Sequence, residues 1–199
     1  MNIEPIDDLL IANIFQQCTD MAKTLGAINL AQGATEPMRD EQINQTLLQS
    51  LNKGWQYTDP CGLESLRIAL ANEYDNKYQS DEVLVTSGCT ESLYLGVFAA
   101  SKTHGNQVAF LEPFYPYYTS LAKLLNMQAI PVGMIIKDGQ MQPDLEKIES
   151  VITSGIKIFI LNTPHNPSGW VMNLAQAQFL RNLTDKYGVL LIVDEAYRY

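Results

Sequence analysis

The chain has 199 residues, of which 46% are hydrophobic and 18% are charged, so it is long enough and apolar enough to bury a substantial core. Its net charge of −9 argues against a nucleic-acid partner, because phosphate backbones bind surfaces rich in Lys and Arg. The sequence shows neither a signal-peptide pattern nor an apolar run of membrane-spanning length, so we expect neither export nor a membrane partner.

The cysteine and histidine residues show no metal-ligand spacing. Cys18, Cys61 and Cys89 are odd in number and far apart, which is typical of a reducing cytoplasm. His104 and His165 have no nearby companions of metal-ligand type. We therefore expect a cytoplasmic protein without a metal site.

In the first half of the chain, apolar spacing predicts helices and strands in turn. Leucine and isoleucine residues four apart predict a helix over 42–53, and a second apolar series predicts one over 62–78. A strand is predicted over 82–86, followed by a helix that runs through Ala100. The next strand is predicted over 107–111.

The second half of the chain continues the alternation. Strands are predicted over 128–132, 157–161 and 189–193. A helix is predicted after Pro143, and another is predicted to be capped by Asn173. This order predicts an α/β fold of three αβα layers, in which helices cover both faces of a mostly parallel sheet. Ligands bind such sheets at the carboxyl ends of the strands, so polar clusters there are the candidate functional residues.

The first such cluster lies between the strand over 82–86 and the helix that follows. Gly88 lets the backbone approach an anion, and the helix N-terminal amides of Cys89 and Thr90 would then bind a phosphate. A tight turn in which Ser87 caps the helix explains the same residues without a ligand, and taken alone the cluster favours it. A nucleotide site has weaker support, because the sequence has neither a Walker lysine nor a G-x-G-x-x-G run.

An aromatic run follows the strand over 107–111. Phe114, Tyr115, Tyr117 and Tyr118 lie in this run, and an aromatic ring at the end of a strand can stack on a flat cofactor. Such a run can equally pack a helix onto the sheet. By itself, the run favours the packing role.

Three polar residues follow the last two predicted strands. Asn166 and Tyr197 can hydrogen-bond to an oxygen on an aromatic ring. Asp194 ends an apolar run, and a buried carboxylate is costly unless it is paired. A pyridinium nitrogen would be a natural partner, since this pair makes the ring a stronger electron sink. Alternatively, Asp194 caps a loop or pairs with Arg198.

Several segments, in the right order, resemble those of the class I and II aminotransferases, which are fold-type-I pyridoxal-phosphate enzymes. The segments are Asn29–Gly33, Gln56–Thr58 with Gly62 and Leu66–Arg67, Thr86–Glu91, Glu112–Tyr115, Asn166–Gly169 and Asp194–Tyr197. The resemblance implies the large domain of the aspartate aminotransferase fold and pyridoxal 5′-phosphate as cofactor. It also implies transfer of an amino group between an amino acid and a 2-oxo acid.

The resemblance assigns roles around the cofactor ring. It implies that Tyr115 stacks on the ring, with Phe114 as the second choice. It also implies that Asp194 contacts the ring nitrogen, while Asn166 and Tyr197 contact the ring oxygen. On this resemblance, Asp194 and Tyr197 are the catalytic residues present in the chain.

Further roles concern the phosphate, the substrate and a second subunit. The resemblance implies that Cys89 and Thr90 hold the cofactor phosphate, and that Tyr57 reaches the phosphate bound by the partner subunit. A homodimer is therefore implied for the complete protein. The resemblance also implies that Gly33 and Asn166 help to bind the substrate.

One expected residue is missing. The family's catalytic lysine lies beyond the Asp-x-x-Tyr segment, yet none of the nine lysines follows Asp194. We therefore expect the N-terminal half of a longer enzyme, inactive alone, with an N-terminal arm and part of the small domain over 1–40. Residues 41–199 would form a large domain that is incomplete at its C-terminus. Two alternatives stay open: another fold-type-I enzyme, such as a carbon–sulfur lyase, or a non-catalytic cofactor-binding chain.

Overall fold

A computed structural model describes residues 14–31, 33, 40–54, 56–75 and 77–198. The chain separates into two compact units. One unit comprises residues 18–87, and the other comprises 88–198 together with 14–17. The division of the complete protein at residue 40 stays a prediction.

The unit of residues 18–87 is mainly helical where it is described. Its helices are α1 (Ile14–Leu25, which begins in the other unit), α2 (Glu41–Leu51) and α3 (Glu64–Asn72). The Asp40 carboxylate caps α2 by accepting from the Gln42 and Ile43 amides, which satisfies two donors at the helix start. The helix predicted over 62–78 is shorter than expected, and Asp75 has a left-handed φ of 55°.

The strand predicted over 82–86 is wrong. Ser80–Glu82 forms a 3₁₀ turn, and Val83 has extended dihedral angles of φ −109° and ψ 127°. The Val85 amide donates to the Cys61 carbonyl at 2.9 Å, but the segment over 83–86 belongs to no strand. A strand needs a neighbour to complete its ladder of hydrogen bonds, and alternating apolar residues do not supply one.

The larger unit is built on a five-stranded sheet in the order β3-β2-β1-β4-β5. The strands are β1 (Gln107–Glu112), β2 (Gln128–Lys137), β3 (Gln140–Pro143), β4 (Ile158–Asn162) and β5 (Leu190–Asp194). β1 pairs in parallel with β2 and β4, and β4 pairs in parallel with β5. β3 pairs antiparallel with β2. The mostly parallel sheet is therefore confirmed.

Helices cover both faces of this sheet, which confirms the three αβα layers. They are α4 (Cys89–Ser101), α5 (Tyr117–Leu124), α6 (Leu145–Thr153) and α7 (Leu174–Tyr187). Phe110 and Ile160 pack in one buried cluster with side chains of α4 and α5. Leu111 and Phe159, their neighbours along the strands, pack in a second cluster with α6 and α7. Alternation along each strand thus supplies two cores.

The hairpin between β2 and β3 was not predicted. β2 continues five residues beyond the predicted end at Val132, and Asp138 and Gly139 then turn the chain with φ of 54° and 74°. Positive φ at both central residues is the geometry of a type I′ turn, for which Asp-Gly is a favoured sequence. The Asp-Gly pair was therefore the signal that could have revealed the hairpin.

Replacing Gly139 with alanine should destabilise the protein by about 1–2 kcal/mol, because its φ of 74° is unfavourable for a residue with a Cβ atom. Gly96 is a matched control inside α4, where an added Cβ would meet only Ile192 Cδ1 at 4.0 Å. Alanine there should be neutral or stabilising, because glycine weakens a helix. Urea unfolding of both variants checks the pair; equal effects would contradict the turn assignment.

The helix before β5 has well-defined ends. Asn173 caps α7 by accepting from the Gln176 amide, and the Gln176 side chain accepts from the Asn173 amide. Gly188 ends the helix with a left-handed φ of 61°. These contacts confirm the predicted cap and lead the chain directly into β5. Across the described residues, no helix has the length and apolar character needed to cross a membrane.

Candidate functional site

The carboxyl ends of β4 and β5 lie side by side. Asn162 and Asp194, the last residues of the two strands, are register partners. The backbone amide of Thr163 donates to the Asp194 carbonyl at 3.0 Å. Residues that follow the two strands therefore share one edge of the sheet, as predicted for a parallel pair.

The Asp194 carboxylate is buried, with only 5% of the residue exposed. Its Oδ2 accepts from the Tyr118 hydroxyl at 2.6 Å. Its Oδ1 accepts from the Ala196 amide at 3.0 Å and from the Cys89 thiol at 3.4 Å. The loop-capping alternative is thus partly right, since the Ala196 contact caps the turn.

The Asp194 carboxylate has no cationic partner among the residues that the structure describes. Arg198 pairs with Glu195 at 3.5 Å, so the Arg198 alternative for Asp194 is not observed. The environment of Asp194 is made instead of hydrogen-bond donors. A buried carboxylate held by neutral donors is electrostatically suited to a cationic ligand group.

Tyr118, which the sequence marks only as part of an aromatic run, contacts Asp194. It is 2% exposed, and its ring packs 5.5 Å from the Phe110 ring. Burial raises the pKa of the Tyr118 hydroxyl far above its usual value, and the hydrogen bond to Asp194 and its charge act in the same direction. A buried tyrosine needs an acceptor, but the sequence does not show which one.

The thiol of Cys89 also faces Asp194. Cys89 is exposed as a residue, but partial burial of its thiol, the negative charge of Asp194 and their hydrogen bond raise the pKa of Cys89 to about 11. The thiol is therefore protonated at neutral pH, and it acts as a donor to the carboxylate rather than as a nucleophile.

Alkylation of Cys89 should be slow at pH 8 and should accelerate as the pH approaches 11, because only the thiolate reacts. Replacing Asp194 with asparagine removes the charge that opposes ionisation, so alkylation at pH 8 should be faster, by up to roughly tenfold. Mass spectrometry after iodoacetamide treatment measures the rate, with the exposed Cys61 as an internal control. An unchanged Cys89 rate in the variant would contradict the contact.

The N-terminus of α4 has the features expected of an anion-binding turn. Gly88, not the predicted Ser87, is the N-cap, with φ 86° and no side-chain cap. Cys89 and Thr90 lie in the first turn, where helix geometry offers their amides no acceptor within the helix. An added Cβ on Gly88 would meet no atom within 4 Å. The phosphate role of Cys89 and Thr90 stays a prediction.

The side chains of Asn166 and Tyr197 meet in the structure. Asn166 Nδ2 lies 3.3 Å from Tyr197 Oη. Asn166 is half-buried, whereas Tyr197 is 56% exposed. The two polar groups predicted to contact one ring oxygen therefore lie together. Their shared contact with a ring oxygen stays a prediction.

The aromatic run contributes mostly to packing. The Phe114 ring packs edge-on against Phe110 at 4.8 Å. Tyr115 is half-buried, with ring centroids 6.2 Å from Tyr117 and 6.0 Å from Tyr118. The Phe114 ring thus packs against the core. Stacking of Tyr115 on a cofactor ring stays a prediction.

The two remaining candidate residues lie in the unit of residues 18–87. Tyr57 is fully exposed, and Gly33 is also exposed. Their predicted roles at a partner subunit and at the substrate stay predictions. Within the described ranges, no three His, Cys, Asp or Glu residues cluster in a way that could hold a metal ion.

Comparisons with known proteins identify the family of the chain. The family model for aminotransferase class I and II matches residues 26–198. An aspartate aminotransferase of Sulfurisphaera tokodaii is 31% identical over 182 residues, which are 89% of this chain and 45% of that protein. Human kynurenine–oxoglutarate transaminase 3 is 31% identical over 208 residues, which cover 96% of this chain and 45% of that protein.

Solved structures show the same fold. YbdL from Escherichia coli, for which a methionine aminotransferase function was identified, matches with a TM-score of 0.84 and 26% identity. That match covers 98% of this chain and 52% of the other. N-succinyldiaminopimelate aminotransferase from Mycobacterium tuberculosis matches with a TM-score of 0.84 and 25% identity. That match covers 92% of this chain and 49% of the other.

The chain spans about half the length of these relatives. The match to the family model extends over most of the chain, from the end of α1 to the residues after β5. It includes Cys89, Tyr115, Asn166 and Asp194. The chain therefore belongs to the class I and II aminotransferase family.

Proposed function

We propose that the complete protein is a pyridoxal-phosphate-dependent aminotransferase, and that residues 88–198 contribute most of its cofactor pocket. The observation that carries the proposal is the buried Asp194 carboxylate at the sheet edge, held by Tyr118, Cys89 and the Ala196 amide. These donors leave acceptor capacity on Oδ2 for one more partner. A protonated ring nitrogen is a group of the right charge for it.

The described residues offer candidate partners for the phosphate, the ring nitrogen and the ring oxygen of the cofactor. The first-turn amides of Cys89 and Thr90 would hold the phosphate, as helix N-termini do for anions. Asn166 and Tyr197, which already meet at 3.3 Å, would bond the ring oxygen. Tyr115 would stack on the ring.

Pyridoxal phosphate, when bound, supplies an electron sink for the carbanion formed at the substrate α-carbon. Asp194 would keep the proton on the ring nitrogen, because its negative charge favours the cationic ring. Tyr118 and Cys89 would hold the Asp194 carboxylate in orientation and exclude water from it. Asn166 and Tyr197 would stabilise negative charge on the ring oxygen.

The complete protein needs parts that these residues do not supply. A lysine in the part of the relatives' length that this chain does not cover would move the α-proton. Gly33 and Asn166 would contact an amino acid or a 2-oxo acid, and Tyr57 would act across a homodimer. A cytoplasmic location is part of the same proposal. Among the residues that the structure describes, no specific contact favours the carbon–sulfur lyase or the non-catalytic alternative.

The test is to incubate the 199-residue chain with pyridoxal phosphate, measure saturable binding by equilibrium dialysis, and then reduce with borohydride. We expect binding without a dominant adduct on any single lysine, as found by intact mass and peptide mapping. A single labelled lysine would contradict the assignment of the lysine to a downstream segment. An absence of saturable binding would contradict the cofactor.

A further inference from the structure

The side chain of Asn162 joins the ends of the two strands that carry the site. Asn162 is the last residue of β4, is 3% exposed, and is the register partner of Asp194. Its Nδ2 donates to the Asp194 carbonyl at 3.0 Å. Its Oδ1 accepts from the Asn166 amide at 2.6 Å. One buried amide therefore binds the backbones of two predicted cofactor contacts.

The two hydrogen bonds of the Asn162 side chain differ in how far other contacts support them. The Asp194 carbonyl has a second donor in the Thr163 amide at 3.0 Å. The loop after β4 is closed on itself, since the His165 amide donates to the Trp170 carbonyl at 2.8 Å. The Asn166 amide donates to the Asn162 side chain. This bond fixes the start of the loop to the end of β4.

From this geometry we propose that Asn162 is a positioning residue, which sets the separation between Asn166 and Asp194 and so matches them to the oxygen and the nitrogen of one pyridine ring. The inference rests on the proposed function, because Asn166 and Asp194 are cofactor contacts only there. Asparagine suits this position because its side chain offers a donor and an acceptor at the two ends of one short planar group. Removing either bond takes a hydrogen-bond partner from a backbone group near this buried position, which is unfavourable.

The test uses three ligands without an aldehyde, so that no lysine is needed. They are pyridoxine 5′-phosphate, its 1-deaza analogue without the ring nitrogen, and its 3-deoxy analogue without the ring oxygen. Equilibrium dialysis with the 199-residue chain gives two affinity ratios, each comparing the parent ligand with one analogue. We expect the unsubstituted chain to prefer the parent ligand in both comparisons.

Asn162→Leu keeps four side-chain heavy atoms branched at Cγ and loses both hydrogen bonds. Both ratios should therefore fall toward one, with a loss of roughly tenfold or more in affinity for the parent ligand. Asn162→Asp keeps an acceptor for the Asn166 amide but loses the donor to Asp194. This variant should still prefer the parent ligand over the 3-deoxy analogue. Its preference for the parent ligand over the 1-deaza analogue should disappear. If Asn162→Leu does not fold, as judged by circular dichroism, the Asn162→Asp variant decides.

Thr184→Val is the matched control, because Thr184 is another buried polar residue whose hydroxyl bonds to backbone, at the Arg181 carbonyl. It should leave both ratios unchanged. Equal weakening of all three ligands by the Asn162 variants, with unchanged ratios, would show a structural role only and overturn the inference. Absent binding, or ratios of one, in the unsubstituted chain would overturn the proposed function as well.

Discussion

Replacing Asp194 with alanine should lower the affinity for pyridoxal phosphate by roughly two to four orders of magnitude and, under the proposed function, nearly abolish turnover by the complete enzyme. The expected loss follows from removing one partner of a buried charge pair, which costs about 3–5 kcal/mol. Asp194→Asn separates charge from shape, since an amide can still accept from Tyr118 but cannot neutralise a ring cation. Equilibrium dialysis and steady-state kinetics measure the two effects.

Glu195→Ala is the matched control for this prediction, because it removes the same charge one residue further along the chain. Glu195 forms a partly exposed pair with Arg198 at 3.5 Å, and ion pairs open to solvent contribute about 0–1 kcal/mol. Cofactor affinity should therefore change little. Ordinary activity in Asp194→Ala, or an equal loss in both variants, would overturn the role assigned to Asp194.

Replacing Phe110 with alanine should lower the free energy of unfolding by about 3–5 kcal/mol, because its ring is fully buried and truncation leaves a cavity. The Phe110 ring also supports Phe114 at 4.8 Å and Tyr118 at 5.5 Å. The variant should therefore loosen the contact between Tyr118 and Asp194 as well as the core. Urea unfolding measures the first effect, and cofactor affinity in the folded variant measures the second.

Phe98→Ala is the control for the core prediction. Phe98 lies on α4 but is 39% exposed, so its truncation should cost about 1 kcal/mol or less. A similar loss of stability in the two variants would contradict the burial of Phe110 at the centre of its cluster.

The strands β1, β2, β4 and β5 were predictable because each contains a short, largely apolar run. β3, whose sequence is QMQP, has no such run and was not predicted. The boundaries that failed depend on pairing. Val83 has extended dihedral angles, but the segment over 83–86 belongs to no strand. β2 is long because β3 folds back onto it. The spacing of apolar residues within one segment does not show which other segment it pairs with.

The same limit explains which site residues were predicted. Asp194 and Asn166 stand out as polar residues after apolar strands, and the structure brings their backbones together through Asn162. Tyr118 and Asn162 act on those residues from buried positions, where their roles depend on which acceptor lies opposite. Sequence patterns give burial and residue type, but a hydrogen bond across 76 residues, as between Tyr118 and Asp194, requires the fold.

The most direct test of the cofactor site is a crystal structure of the chain, or of a longer protein that contains it, with pyridoxine 5′-phosphate bound. We predict the ring nitrogen within about 3 Å of Asp194 Oδ2 and the phosphate at the first-turn amides of Cys89 and Thr90. A ring nitrogen that faces solvent or another residue, with Asp194 still bonded only to Tyr118, Cys89 and Ala196, would contradict the account.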